Sequence, residues 1–144
     1  MGAFKTRIWI PFTLLFCVGA GALLVAPPII RGLAALEWLN HYRSLESLPR
    51  PTRVLARTVA VRTDAAIRNL APLPQASEAA MLALEIGQRA QFEGHDREAA
   101  RLIYEGVRDA CARVRTRLLS GPGFAVIQAR AQALEASLGA GAAP

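Results

Sequence analysis

Two histidines, two cysteines and eleven carboxylates are all that this 144-residue chain offers for acid–base, thiol or metal chemistry. His41 lies shortly after a long apolar segment and His95 in a turn, so the two are expected to be far apart. No HExxH, CxxC, GxSxG or Walker-type glycine loop occurs. Those spacings would set two metal ligands on one helical face, a nucleophile on a strained turn, or backbone amides around a phosphate. The pairs Glu93/Asp96 and Glu98/Glu105 have the spacing of solvated helix surfaces. Cys111 lies between Arg108 and Arg113, cations that favour a thiolate. It has no histidine near it in sequence, and a small buried hydrophobe is the simpler reading. Cys17 follows Phe16, where a lipoprotein cysteine needs a small residue, and is expected to be a packed apolar side chain. The chain is therefore expected to be no enzyme, with no catalytic residue, no cofactor and no bound metal; a thiol redox role for Cys111 is the lesser alternative.

The apolar residues make up 53% of the chain and the charged ones 19%, with a net charge of +6. That apolar content excludes disorder throughout, and two cysteines exclude a disulfide scaffold. The length allows one domain. Residues 8–30 carry no charged side chain. As a helix this segment is about 34 Å long, against a bilayer core about 30 Å thick. Pro11 falls in the first turn, where a missing N–H costs little, whereas Pro27-Pro28 should kink or end the helix. The competing reading is a cleaved signal peptide with small-residue sites at Val18-Gly19-Ala20 or Ala20-Gly21-Ala22. The apolar run continues through Leu23-Leu24-Val25-Ala26, which favours a retained anchor. Lys5 and Arg7 on one flank, and Arg31, Arg43 and Arg50 on the other, leave orientation undecided by charge. A short basic tail before one span reads as a signal anchor, with the following domain outside the cytoplasm. Abundant arginine and alanine suggest a GC-rich bacterial genome, hence a single-pass protein of the inner membrane with a periplasmic domain.

The remaining elements read as helices, so the expected fold class is all-α. Residues 31–48 place Leu36, Leu39, Tyr42 and Leu45 at helical spacings, either continuing the membrane helix or lying along the surface. Trp38 and Tyr42 are candidates for the membrane interface, where amphipathic rings prefer to sit; ordinary packing against the domain is the alternative. Pro49 and Pro51 punctuate the chain before a helix over 52–70. Its apolar face carries Leu55, Val59, Ala66 and Leu70, and Arg53, Arg57 and Arg68 cluster opposite. That basic stripe reads first as a solvated face and second as one lying on anionic lipid; a periplasmic domain would put the anionic cytoplasmic leaflet out of reach and favour the solvated face further. After Pro72 and Pro74, Ser77 is the expected N-cap of a helix running to Phe92. Asp96 caps the next, over 97–119, residues 120–123 form a loop, and a last helix covers 124–138. The organisation is then a basic tail (1–7), an anchor (8–30), juxtamembrane helices and linker (31–76), a helical domain (77–138) and a flexible tail (139–144).

Within the helical domain, IGQRAQFEGHDREAARLIYEGVRDAC, residues 86–111, places a bulky-small pair at Ile86-Gly87 and a glycine at the turn, Gly94. Ala99 is the small residue expected opposite Gly87, Gly106 holds a later small position, and Ile103 or Tyr104 supplies the large one. This segment resembles a single degenerate tetratricopeptide repeat. Ala90 and Asp96 stand where aromatics are usual, and Cys111 replaces a proline. The resemblance implies a protein-binding helical hairpin. Solenoids need about three repeats to bury a continuous core, and no second good copy is present. Either the flanking helices cap the unit or a partner completes it.

Charge is uneven around this hairpin: residues 78–107 carry six acids and three arginines, residues 43–68 six arginines and two acids. Opposed patches favour oriented docking or self-association. The basic stretches lack interleaved aromatics, which disfavours nucleic acid. The expected partners are the bilayer, through residues 8–30, and protein subunits of a membrane complex, with Phe92, His95, Arg101, Tyr104, Arg108 and Arg113 as the candidate contact surface. A homo-oligomer is the second possibility.

Overall fold

Helix α1 (Thr6–Ser44) carries the apolar segment and the juxtamembrane segment as one unbroken element. A computed structural model describes the backbone of residues 6–44, 53–71, 73–115 and 123–140, and side-chain surroundings from Val18 to Gly139 within them, Arg115 excepted. The helix does not end at Pro27-Pro28, one of the two outcomes expected there: both prolines lie inside it. Proline's own φ is helical, so the cost is the loss of two amide donors to the carbonyls of Leu23 and Leu24. Pro49, Pro51, Pro72, the loop at 120–122 and the tail at 141–144 lie outside the described residues, as does the side chain of Cys17.

Four further helices follow, α2 (Arg53–Leu70), α3 (Pro74–Phe92), α4 (Arg97–Arg115) and α5 (Gly123–Ala140), with no strand among the described residues. Pairwise contacts fix their directions. Leu70 and Asn69 lie where a Cβ on Gly32 would project, and Arg62 lies over the Trp38 ring, so α2 runs antiparallel to the second half of α1. Tyr104 and Ile103 crowd Gly87, so α3 and α4 form an antiparallel hairpin. Arg53 pairs with Glu98, Ala60 meets Gly106 and Asp64 pairs with Arg113, so α2 and α4 are parallel. Arg108 reaches back to Glu135, as an antiparallel α5 requires. The result is an up-and-down bundle. Gly32, Leu70, Pro74 and Gly123 gather at the end nearer the apolar segment, the proximal end. Ser44, Arg53, Phe92 and Arg97 gather at the far, distal end.

Alanine makes this packing close. Ala56, Ala66, Ala79, Ala83, Ala99 and Ala100 are all buried at helix contacts, and small side chains let helix axes approach toward 8 Å rather than 10 Å. Volume comes from a few large side chains: Leu39, Ile67, Leu70, Leu84, Ile86, Ile103 and Tyr104, all essentially inaccessible. The hairpin glycine is needed for space. A Cβ on Gly87 would stand 2.5 Å from Tyr104 Cε1. The atoms nearest that position belong to Tyr104 and Ile103, and Ala99 is buried in the same core.

Two helix starts teach opposite lessons. Asp96 caps α4 as expected, its Oδ1 accepting the Ala99 amide at 2.9 Å. Ser77 does not cap α3. That helix begins one turn earlier at Pro74, with Leu73 in extended conformation at the N-cap position and no side-chain cap. Proline at the first turn presets the helical φ and lacks the N–H that a cap would satisfy.

Candidate partner-binding surface

The turn between α3 and α4 closes the distal end, and its geometry follows from how α3 stops. The Arg89 carbonyl accepts the amides of Glu93 and Gly94, and the Ala90 carbonyl accepts the amide of Asp96 at 3.0 Å. Reversing the chain there requires one left-handed residue, and it is His95, φ 50°, rather than Gly94. A side chain in that region costs roughly 1–2 kcal/mol, histidine less than most. The last side chain of α3, Phe92, is 65% exposed. The turn thus holds an aromatic ring and an imidazole outward on a backbone locked by its own hydrogen bonds.

Arg101 lies one turn after Arg97 on α4, exposed and bonded to Glu105 at 2.9 Å. It lines an open groove of about 820 Å³ between α4 and α5, together with Arg97, Glu98, Gln132, Glu135 and Leu138. The α5 side of this groove had no signal in the sequence, because nothing in residues 124–138 marks which face would turn toward α4. Arg108 is half-buried, bonded to Asp109 at 3.0 Å and to Glu135 at 2.5 Å. The Asp109 bond first, then Glu135, hold its guanidinium firmly charged. Arg113 is further toward the proximal end, bonded to Asp64 of α2 at 2.9 Å. Phe92, His95 and Arg101 therefore share the distal part of the bundle, and Arg108 and Arg113 are tied along its length.

Two of the expected contacts are corrected. Tyr104 is fully buried. Its ring fills the space left by Gly87, its hydroxyl donates to Gln91 Oε1 at 3.0 Å, and burial pushes its pKa up to about 12. It builds the hairpin and presents nothing outward. Tyr42 is only 5% exposed and belongs to the core, stacked on Trp38 with ring centroids 5.3 Å apart. Trp38 is half-buried beneath Arg62, which lies 5.8 Å from the ring centroid. The two rings sit about 12 and 18 Å along the helix beyond Ile30, and domain packing has claimed them. His41 belongs to that same outer stretch, so it stands at the end of the bundle that carries His95, not beside the apolar segment.

The opposed charges are largely spent inside the fold. Arg43 meets Glu85 at 3.3 Å, Arg53 meets Glu98, Arg108 meets Glu135 and Arg113 meets Asp64. Each exposed pair contributes about 0–1 kcal/mol, so these orient helices more than they hold them. Cys111 is a buried small side chain, as its simpler reading expected, and burial pushes its pKa up to about 11, against the lesser reading of a thiolate favoured by Arg108 and Arg113. No group of three histidine, cysteine or acidic side chains that would hold a metal occurs among the described residues. No protein-family model, curated protein or solved structure matches the chain.

Proposed function

We propose that the chain is a single-pass, membrane-anchored adaptor or accessory subunit that helps assemble or stabilise a larger membrane protein complex. The observation that carries this reading is the division of α1. Its second half is seated in the bundle core through Ala35, Leu39 and Tyr42, while Val18, Leu23, Leu24, Val25 and Ile30 project with no protein against them. Leu23 and Leu24 are each 78% exposed. Leaving such side chains in water forgoes about 1.5–3 kcal/mol apiece, and α1 is long and apolar enough to cross a bilayer. A cut after Ala20 or Ala22 would strand Leu23, Leu24 and Val25 in water, so the retained anchor is the better reading. We place the anchor in a bacterial inner membrane with the bundle on the periplasmic side. Labelling single introduced surface cysteines with a membrane-impermeant maleimide tests that side directly.

For the partner contact, the exposed turn and the groove beside it support a docking site at Phe92, His95 and Arg101. The left-handed backbone at His95 and the exposed Phe92 ring at the same turn support this, since such backbone strain clusters at ligand clamps and switch regions. The resemblance of residues 86–111 to a tetratricopeptide hairpin points the same way, with α2 and α5 covering the faces that neighbouring repeats would cover. Self-association through opposed patches is the weaker reading, because the pairs above consume those charges within one chain. A redox role for Cys111 requires a thiolate that burial opposes. Extraction of the full-length protein in mild detergent from its native membrane, then sizing and mass spectrometry, tests the proposal. Stoichiometric foreign subunits are expected, and Phe92→Ala should release them at least tenfold more readily without lowering the unfolding temperature. A species containing this chain alone would overturn it.

A further inference from the structure

We propose that the groove between α1 and α2 at the proximal end binds the phosphate headgroup of an anionic phospholipid. This rests on α1 spanning a bilayer and not on the adaptor role. Arg31, Arg62, Arg68 and Asn69 line one groove of about 610 Å³, walled by Ala34, Ala35 and Ala65. Three guanidinium groups and an amide thus face a space that small side chains keep open. Guanidinium forks match phosphate oxygens in pairs.

The position is set by the same residues that set the fold. Arg31 is the first charged residue after the uncharged run of 8–30. Leu70 and Asn69 pack on Gly32, which brings the last turn of α2, with Arg68, down to the level of the bilayer surface. Arg62 stands two turns higher, held over the Trp38 ring. The headgroup layer on each side of the hydrocarbon core is about 5–7 Å deep, which takes in Arg31 and Arg68, while Arg62, beside the Trp38 ring, closes the outer end of the groove. This differs from the stripe of Arg53, Arg57 and Arg68 on the helical wheel, since Arg53 is carried to the distal end and pairs with Glu98.

Among the described residues, two arginines of this groove have no carboxylate partner. Arg43, Arg53, Arg89, Arg101 and Arg108 each meet a carboxylate. Arg68 pairs with Asp64 at 3.4 Å, and among the described residues Arg31 and Arg62 meet no carboxylate, nor do Arg57 and Arg130 outside the groove. Arg31 and Arg62 thus leave positive charge unmatched where a membrane-anchored bundle would face lipid phosphate.

The test is native mass spectrometry of the full-length protein released from detergent micelles doped with phosphatidylglycerol or phosphatidylcholine. Retention of phosphatidylglycerol at least tenfold over phosphatidylcholine is expected. The combined substitution Arg31→Gln, Arg62→Gln, Arg68→Gln should abolish that preference, each charge near an anionic surface being worth about fivefold. Arg57→Gln, outside the groove, should keep it. Circular dichroism checks that the triple variant folds; if it does not, the exposed Arg31→Gln alone should lower the preference about fivefold. Equal retention of the two lipids, or an unchanged preference in the variant that folds, overturns the proposal. So does displacement of the lipid by millimolar inorganic phosphate, which would make this a free-phosphate site. Alkaline carbonate extraction reads the anchor separately, so a failed anchor and a failed groove give different results.

Discussion

The two halves of α1 are one helix with opposite fates. From Val18 to Ile30 most apolar side chains, Leu23, Leu24, Val25 and Ile30 among them, project away from the bundle, while Ile29 packs against its core. From Gly32 onward the contacts fall at Gly32, Ala35, Leu39 and Tyr42, a three-four-three spacing that keeps one stripe against α2 and α3. Hydrophobicity alone does not tell these halves apart; periodicity does. A helix apolar all round asks for an apolar solvent, while a stripe asks for a neighbouring element.

The sharpest way to break this contrast is to cut the same side chain in each half. Leu39→Ala should cost the bundle about 3 kcal/mol, read as a lower urea midpoint for the protein in detergent. Leu24→Ala should leave that midpoint where it is, and an equal loss at both positions would mean the projecting half also packs on the domain. Glycines sharpen the same comparison. A Cβ at Gly32 would lie 2.6 Å from Leu70 Cγ and 3.1 Å from Asn69 Cβ, whereas Gly21 has nothing within 4 Å. Gly32→Leu should therefore cost about 2 kcal/mol through overpacking, with Gly21→Leu neutral in the same melt.

Smaller effects probe the packed region alone. Asp96→Ala should lose about 1 kcal/mol by orphaning the Ala99 amide, a drop of several degrees in unfolding temperature. The pH dependence comes last. Cys111 is pushed up to about 11 and Tyr104 to about 12 in the folded state, above unfolded values near 8.5 and 10. The unfolded chain therefore loses these protons first as pH rises, and stability should fall from about pH 9 upward. Cys111→Ala should flatten the first part of that fall, and a native thiol that reacts freely with iodoacetamide at pH 8 would contradict its burial.

Most elements were legible because their signals are local. The starts of α2 and α4, the end of α3 and the Asp96 cap follow from punctuation and periodicity within a few residues. The hairpin followed from the turn at Gly94-His95 between two helical periodicities, whereas the packing of Tyr104 and Ile103 on Gly87 emerged only from the fold. What was not legible depended on distant partners. Tyr104 and Tyr42 are amphipathic residues whose placement was decided by Gly87 and by the arrival of the bundle on α1, neither visible nearby. Prolines were ambiguous in opposite senses, since Pro27-Pro28 did not stop a helix and Pro74 began one a turn early. Of the candidate surface, Phe92, His95 and Arg101 could be picked out because turn residues are exposed by construction. Glu98, Gln132 and Leu138, and the groove formed by Arg31 and Arg62, emerge only when helices far apart in sequence are set side by side.

If α1 is the bilayer anchor proposed above, its continuity through the paired prolines has a mechanical consequence. A flexible joint at the bilayer surface would let the bundle swivel independently of its span; an unbroken helix makes the two a single lever. A span adapts to bilayer thickness by tilting. With the distal turn about 20 Å above the surface, a 10° tilt carries Phe92 sideways by roughly 3 Å. That is enough to change which contact it reaches, so the thickness of the surrounding lipid becomes a coordinate that the far end of the molecule can read.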